Sequence, residues 1–532
     1  MTQALQSYSE GRWQDGSGEQ RPLLDAATGE VVAAIPARGP DVAAMLEHAR
    51  TVGGPALRAL TFTQRAAILR SLAKHLSGCL DELATLSART GATRRDTAVD
   101  VDGGLATMAV YASKGARELP DATVLADGAI ELLGKGGTFA GRHILSARHG
   151  AAVQINAFNF PVWGMLEKFA PAFLAGMPSV VKPASQTAYL TELTVRRMVE
   201  SGLLPEGSLA LLAAGPGGLL EELTPQDTLG FTGSAATALA LRTHPVVAGR
   251  AVRFNAEADS LNCSILGPDV TVDDPELGLY VDQLVTEMTV KAGQKCTAIR
   301  RALVPAGLAD AVADAVAARL ADVVVGNPAD PGVQMGALAS LGQRDEVRQA
   351  VARLAPATRP VFGDTDKVTV TGADAERGAF LSPILLRTDD VFAAPVHQVE
   401  AFGPVSTLLP YDDLDQAVAA AALGDGSLVG SIVSADRGAA ADLVGRLAPW
   451  HGRILVLDRT DAAESTGHGV AMPQMLHGGP GRAGGGEELG GLRAVRHYLQ
   501  RTAVQGHPDL LAMLVPGETP AEEETRVPEG ER

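Results

Sequence analysis

The chain has 532 residues, 46% of them apolar and 20% charged, a balance that excludes global disorder and predicts two or three domains with sizeable cores. Its 45 Lys and Arg stand against 62 Asp and Glu, and the resulting charge of −17 argues against a nucleic-acid partner. Three cysteines, Cys79, Cys263 and Cys296, predict neither a disulfide framework nor a metal site, because no pair has ligand spacing.

The first 18 residues lack the basic-then-apolar order of a signal peptide, and no uncharged apolar run is long enough for a bilayer. A cytoplasmic protein without a membrane partner is therefore expected. Residues 8–13 read as an extended entry, and 23–28 with 31–35 as a hairpin around Gly29. Helical spacing runs through 56–80 and 83–119, and 132–148 is β-like. From 151 the pattern alternates. Short apolar runs at 151–155, 179–181, 209–212 and 228–231 read as buried strands. Helical segments are expected at 162–173, 191–201, 217–222 and 234–242. This is the pattern of a doubly wound parallel sheet, whose ligands lie beyond the C-terminal strand ends.

A second alternation fills 263–457, with helices at 277–292 and 308–320 and strands at 302–304, 406–409, 429–433 and 454–457. The glycine-rich stretch 478–491 reads as a loop, and 516–532 as a disordered acidic tail.

Several residues at these strand ends are of chemistry-bearing types. Cys296, in Lys291-Ala292-Gly293-Gln294-Lys295-Cys296, has lysine neighbours that would favour a thiolate; a packed structural cysteine is the alternative. Glu257 is placed as a general base or as a solvated loop acid. Asn159 follows a buried strand, where its amide would serve an oxyanion or an ordinary turn before Pro161. Lys182 stands where a ribose or phosphate would lie, or reaches solvent. Thr232-Gly233-Ser234 joins a strand to a helix N-terminus able to receive a phosphate. No P-loop motif is present, and no ordinary G-x-G-x-x-G follows one of the expected strands, so neither a P-loop nor a standard Rossmann pyrophosphate turn is supported.

Taken together, Asn159-Phe160-Pro161, Lys182-Pro183-Ala184, Phe231–Ser234, Glu257, Gly293–Cys296 and Glu400-Ala401-Phe402-Gly403-Pro404 resemble, in order, the aldehyde dehydrogenase superfamily over nearly the whole chain. The resemblance implies a Rossmann-type cofactor domain (1–128 and 150–260), an α/β catalytic domain (261–477) and a β-strand oligomerisation arm (129–149 and 494–515). It implies Cys296 as nucleophile and Glu257 as base, with Asn159 and the Cys296 N–H as oxyanion donors. Lys168 and Glu488 match a family pair behind the base. Ile155, Phe158, Lys182, Ser185, Gly215, Thr232, Gly233, Ser234, Glu400 and Phe402 would line the dinucleotide. Members of the family assemble through the arm, so a homodimer or a dimer of dimers is expected.

Two departures from the family pattern matter. The usual Glu-Leu-Gly-Gly-Lys is replaced by Glu257-Ala258-Asp259-Ser260-Leu261. At position 185, where many NAD-using members carry Glu, this chain has Ser185, which favours NADP over NAD because a carboxylate would repel a 2′-phosphate. The runs Asn156–Gly164, Glu257–Asn262 and His477–Gly485 are similar to a branch that oxidises CoA-thioester semialdehydes after aromatic ring cleavage. The expected substrate is thus a small-molecule aldehyde, a CoA thioester: the 3,4-dehydroadipyl-CoA semialdehyde of aerobic benzoyl-CoA breakdown. The acidic C-terminus, in place of a hydratase domain, favours that substrate. A simple aliphatic or aromatic aldehyde, a CoA-acylating reaction and a non-catalytic binding protein on the same fold are the rival readings.

Overall fold

The structure, a computed structural model, describes residues 4–515. The expected acidic tail lies outside the described residues. Two seven-stranded α/β sheets organise the chain. The first runs in the order Arg253–Glu257, Thr228–Thr232, Ala152–Ile155, Ser179–Lys182, Leu209–Leu211, Gln6–Ser9, Arg12–Asp15. The first five strands in that order are parallel; the N-terminal pair joins antiparallel at Tyr8 and Leu211. The entry segment is therefore an edge of this sheet and not a separate element.

Buried strands need cover on both faces, and the helices between them supply it. Trp163–Ala175 is the crossover between Ala152–Ile155 and Ser179–Lys182, and it is buried almost throughout, Glu167 and Lys168 included. Its N-terminal amides are satisfied from outside. Asp100 accepts from Val162 N at 3.1 Å and Trp163 N at 2.8 Å. Burial pushes the Asp100 carboxyl up to about 6, with Lys291 opposing.

The second sheet is ordered Arg359–Phe362, Ile384–Arg387, Val405–Tyr411, Arg301–Pro305, Cys263–Leu266, Ser427–Val433, His451–Leu457, parallel except at its first strand. A third sheet pairs Ala140–Ala147 with Leu499–Gly506 and with Val124–Ala126. It leaves Leu132, Leu133 and Phe139 exposed.

Four local expectations differ from the structure. Residues 217–222 form turns, not a helix, because Gly217 and Gly218 both take positive φ. The 83–119 stretch breaks once, at 91–93, and the run from Arg94 to Glu118 continues through a π-helical segment at Ala98–Asp102. Residues 492–497 are helical before the C-terminal strand begins at Leu499. The glycine-rich stretch is a closely packed loop over 479–486, but short strands close it into a hairpin. Leu476–Gly478 pairs antiparallel with Glu487–Leu489, and His477 is the partner of Glu488.

The long helix Pro275–Thr289 ends earlier than its periodicity predicts, in a turn where Lys291, Ala292 and Gly293 have φ of 55°, 49° and 67°. Such conformations in non-glycine residues persist only where the surroundings hold them. Here Asp96 Oδ1 accepts from Lys291 N at 2.7 Å, and the Arg300 guanidinium donates to Gly293 O at 2.9 Å and Gly403 O at 2.8 Å. A Cβ on Gly293 would lie 2.1 Å from Gly403 O. Gly293→Ala is therefore expected to displace the turn and cost about 2–4 kcal/mol of stability. Denaturant unfolding checks the stability, and the rate of Cys296 alkylation checks the displacement.

Candidate active site

Where the C-terminal strand ends of the first sheet meet the turn before Cys296 there is a cavity of about 540 Å³. Cys296, Glu257, Asn159, Phe158, Thr232, Gly233, Ser234, Glu400 and Phe402 all line it. One end is bordered by Ala184, Gln186 and Thr237, the other by Val99, Trp163, Gly164 and Ala471. Six of the predicted residues lie outside its lining. Lys168 and Glu488 stand behind Glu257, and Ile155 ends its strand. Lys182 turns its ammonium onto Pro183 O at 2.8 Å, and Gly215 packs close to Ala37 O. Ser185 lines a second cavity of about 460 Å³, which Gln186 also borders, together with Arg21 and Arg377.

Cys296 is half-buried and its backbone is fixed from two sides. Asn262 Nδ2 donates to Cys296 O at 2.7 Å and to Ala298 O at 3.0 Å, and Gln294 Nε2 donates to Lys291 O at 2.8 Å. Asn159 Nδ2 donates to Gln294 O at 3.0 Å. An amide NH₂ carries two hydrogens, so one remains for the cavity.

Of the lysines flanking Cys296, Lys295 favours its thiolate as the sequence suggests, but it is outweighed. Lys295 Nζ is held by both oxygens of Glu287, at 2.7 and 2.8 Å, and Lys291 lies over the Phe160 ring at 5.6 Å. Burial and the Glu257 charge push the Cys296 thiol well up. The resting cysteine is thus the thiol, and a base is needed to ionise it. Glu257 is placed for that. Burial alone would raise its carboxyl; the His477 imidazolium, through its charge and hydrogen bond, and the Lys168 ammonium outweigh burial and hold it down to about 2.

His477 has no role in the sequence reading, yet its Nε2 is 3.2 Å from Glu257 Oε2 and 3.7 Å from Cys296 Sγ. It arrives on the glycine-rich hairpin, whose glycines let backbone meet backbone. Gly486 N donates to Ala256 O at 3.1 Å, and a Cβ at Gly484 would lie 2.3 Å from the same oxygen. Histidine in a run of glycines was the available signal. Asn156 was also missed; it lines the cavity with both side-chain polar atoms buried and without hydrogen-bond partners.

Behind Glu257 the Lys168 ammonium donates to Glu167 at 3.1 Å and Glu488 at 3.0 Å. Burial opposes its charge, but the two carboxylates outweigh burial and hold it protonated. With Glu257 included, three carboxylates surround one ammonium. Burial, with Glu167 and Glu257 behind it, pushes Glu488 up to about 8, and so Glu488 keeps a proton near neutrality. The sequence shows no metal-ligand spacing, but the fold brings Glu257, Cys296 and His477 together, and separately Glu167, Glu257 and Glu488, with ligand-type atoms within 4.8 Å of one another.

The other end of the cavity suits a dinucleotide. Ser234 Oγ caps the helix Ala235–Arg242 by accepting from Thr237 N at 3.2 Å. Glu400 Oε2 accepts from Ser260 N at 3.0 Å and Glu400 Oε1 lies 3.5 Å from Arg300 Nε, while Thr232 Oγ1 is buried without a hydrogen-bond partner. An unpartnered hydroxyl and a carboxylate in a cavity wall fit ribose hydroxyls or phosphate-bound water. Phe158 meets Phe402 edge-to-face at 5.9 Å, closing the apolar side. Among the described residues no helix is long and apolar enough to cross a membrane.

The sequence profile of the aldehyde dehydrogenase family matches residues 13–504. The chain is 47% identical over 478 residues to the 3,4-dehydroadipyl-CoA semialdehyde dehydrogenase of Aromatoleum evansii, covering 90% of this chain and 93% of that protein. A putative aldehyde dehydrogenase from Burkholderia cenocepacia superposes with a TM-score of 0.82 at 24% identity, over 98% of this chain and 99% of that one. A point mutant of betaine aldehyde dehydrogenase from Staphylococcus aureus, in complex with NAD+, does so at 0.82 and 22% identity, over 95% and 98%. These two structures show the fold.

The depressed Glu257 carboxyl contributes stability that is present above its unfolded value of 4.5 and is lost as pH falls towards about 2. Glu257→Gln is expected to flatten that acid limb. Urea midpoints measured between those pH values check it; an unchanged limb would show that Glu257 is not held charged.

Proposed function

Because this chain belongs to the aldehyde dehydrogenase family, an oxidoreductase family that uses NAD or NADP, we propose that it oxidises a CoA-linked semialdehyde to the acid, with 3,4-dehydroadipyl-CoA semialdehyde as substrate and NADP as preferred cofactor. The observation that carries this reading is the convergence of Cys296, Asn159 and a charged, buried Glu257 on one cavity. The named relative's own substrate supports the choice of aldehyde.

In this reading the Cys296 proton passes to Glu257, and Sγ adds to the aldehyde carbon. The developing oxyanion takes hydrogen bonds from the free Asn159 N–H and the Cys296 N–H. When bound, the oxidised nicotinamide supplies the hydride acceptor that turns the thiohemiacetal into a thioester. Glu488, raised to about 8, first gives up its own proton to solvent and, as a carboxylate beside the Lys168 ammonium, then takes the proton from Glu257 away from the cavity. Glu257 next takes a proton from water, and the hydroxide so formed hydrolyses the thioester. A charged carboxylate at this point favours hydrolysis over transfer to CoA.

Residues 1–128 and 150–260 form the cofactor domain in this scheme, and 261–477 the catalytic domain. Glu400 and Thr232 hold dinucleotide oxygens, and Ser234 presents a helix N-terminus. The exposed Leu132, Leu133 and Phe139 suit the third sheet to pairing with a second copy, as a homodimer or a dimer of dimers. NADP is favoured at the adenosine end. Burial, and Arg21 after it, lower Lys182 to about 8, so a 2′-phosphate between Lys182, Arg21 and Ser185 would relieve like-charge repulsion.

Purified protein with NADP and the CoA-linked semialdehyde, without free CoA, is expected to turn over steadily. Cys296→Ala is expected to abolish NADPH formation, a loss of at least about 10³-fold. A single burst that becomes turnover only on adding CoA would replace hydrolysis by acyl transfer. Ser185→Glu is expected to lower kcat/KM for NADP by about ten- to a hundredfold and that for NAD by far less. Equal losses would remove Ser185 from cofactor selection.

A further inference from the structure

His477 is a buried titratable group that the scheme above does not use. Its Nε2 faces two acceptors, Glu257 Oε2 at 3.2 Å and Cys296 Sγ at 3.7 Å. Its Nδ1 is buried without a hydrogen-bond partner. A hydrogen on Nδ1 alone would leave a buried donor unsatisfied and turn a lone pair towards a carboxylate. In the neutral ring, as in the imidazolium, the hydrogen therefore sits on Nε2. One donor thus stands before two atoms that exchange negative charge during the reaction.

We propose that the His477 Nε2–H is shared between the Glu257 carboxylate and the Cys296 sulfur, and passes from the first to the second as the sulfur ionises. At rest the charge is on Glu257 and the hydrogen bond lies there. When the Sγ proton moves to Glu257, the carboxyl becomes neutral and the sulfur anionic. Nε2–H then bonds to Sγ, and His477 itself neither gains nor loses a proton. The same bond serves the sulfur when it leaves as thiolate on thioester hydrolysis. Without it, a half-buried thiolate near the Glu167 carboxylate would have no hydrogen-bond donor from His477 and would depend on the charges of Lys295, already held by Glu287, and of Arg300 and Arg453.

The fold supports such precision. His477 and Glu488 are cross-strand partners, so their side chains leave the hairpin on the same face; one reaches Glu257 and Cys296, the other Lys168. The charged groups around the imidazole are Glu257, Glu167 and Arg453. The inference rests on Cys296 being the nucleophile.

The test compares His477→Leu with His477→Gln in the full chain. Gln can place an amide N–H near the Nε2 position; Leu fills space without a donor. Alkylation of Cys296 by iodoacetamide across pH, followed by peptide mass spectrometry so that Cys79 and Cys263 do not interfere, reports the thiol. His477→Leu is expected to raise the apparent thiol pKa by about one unit and to lower kcat about ten- to a hundredfold, with KM for the aldehyde within about threefold. His477→Gln is expected to recover activity to within about fivefold of the parent.

A His477→Leu protein with the parent's alkylation profile and kcat overturns the proposal, and so do equal losses in Leu and Gln. If the Leu protein does not fold, His477→Asn takes its place. Its amide sits nearer the Nδ1 position, so Asn matching Gln would also overturn the shared donor. Cys296→Ala, run alongside, separates the two readings. Turnover surviving in that variant removes the nucleophile itself, whereas an inactive Cys296→Ala beside an unaffected His477→Leu removes only the role of His477.

Discussion

The Ala256 carbonyl lies against Gly484 and Gly486, where a Cβ on either would come within 2.4 Å of it. This backbone-to-backbone contact fastens the glycine-rich hairpin to the strand that ends in Glu257. The side chain of Asn255 extends it, accepting from Glu487 N at 2.9 Å and donating to Glu487 O at 3.2 Å. Everything that controls the charge of Glu257 follows from this docking. His477 comes to its front and Glu488 to its back, and Lys168 meets Glu488 from the buried crossover helix.

The arrangement resolves an electrostatic conflict. A nucleophilic sulfur next to a carboxylate is a poor thiolate, because the two charges repel. A carboxylate without counter-charge in the same low-dielectric space would hold a proton and be a poor base. The fold separates these demands by supplying one ammonium behind the carboxylate and one imidazole between carboxylate and sulfur. Glu257 is thereby charged and Cys296 a thiol in the resting site.

Much of the site was legible because residue types at strand ends carry information. A doubly wound sheet sends its ligands beyond its C-terminal strand ends, and Asn159, Thr232 and Glu257 stand at such ends in the chain order. The register of strand and loop then places all three on one cavity. The electrostatics were less legible. The lysines beside Cys296 suggested a thiolate, but charge in a folded protein depends on spatial partners, and Lys295 has its own in Glu287. His477 escaped notice for the related reason that its importance lies wholly in what it faces.

By itself the sequence determined the α/β class, the alternation of strands and helices through the two large sheets and the identity of the chemistry-bearing side chains. These depend on local periodicity and residue type, which are written in chain order. Only the tertiary structure decided that the glycine-rich stretch is a hairpin, that three consecutive left-handed residues precede Cys296, and that one lysine and one histidine share the task of keeping Glu257 charged. Those features arise from contacts between residues far apart in the chain, such as Lys168 with Glu488 and Glu257 with His477. Their strength comes from burial, which only the packed fold supplies.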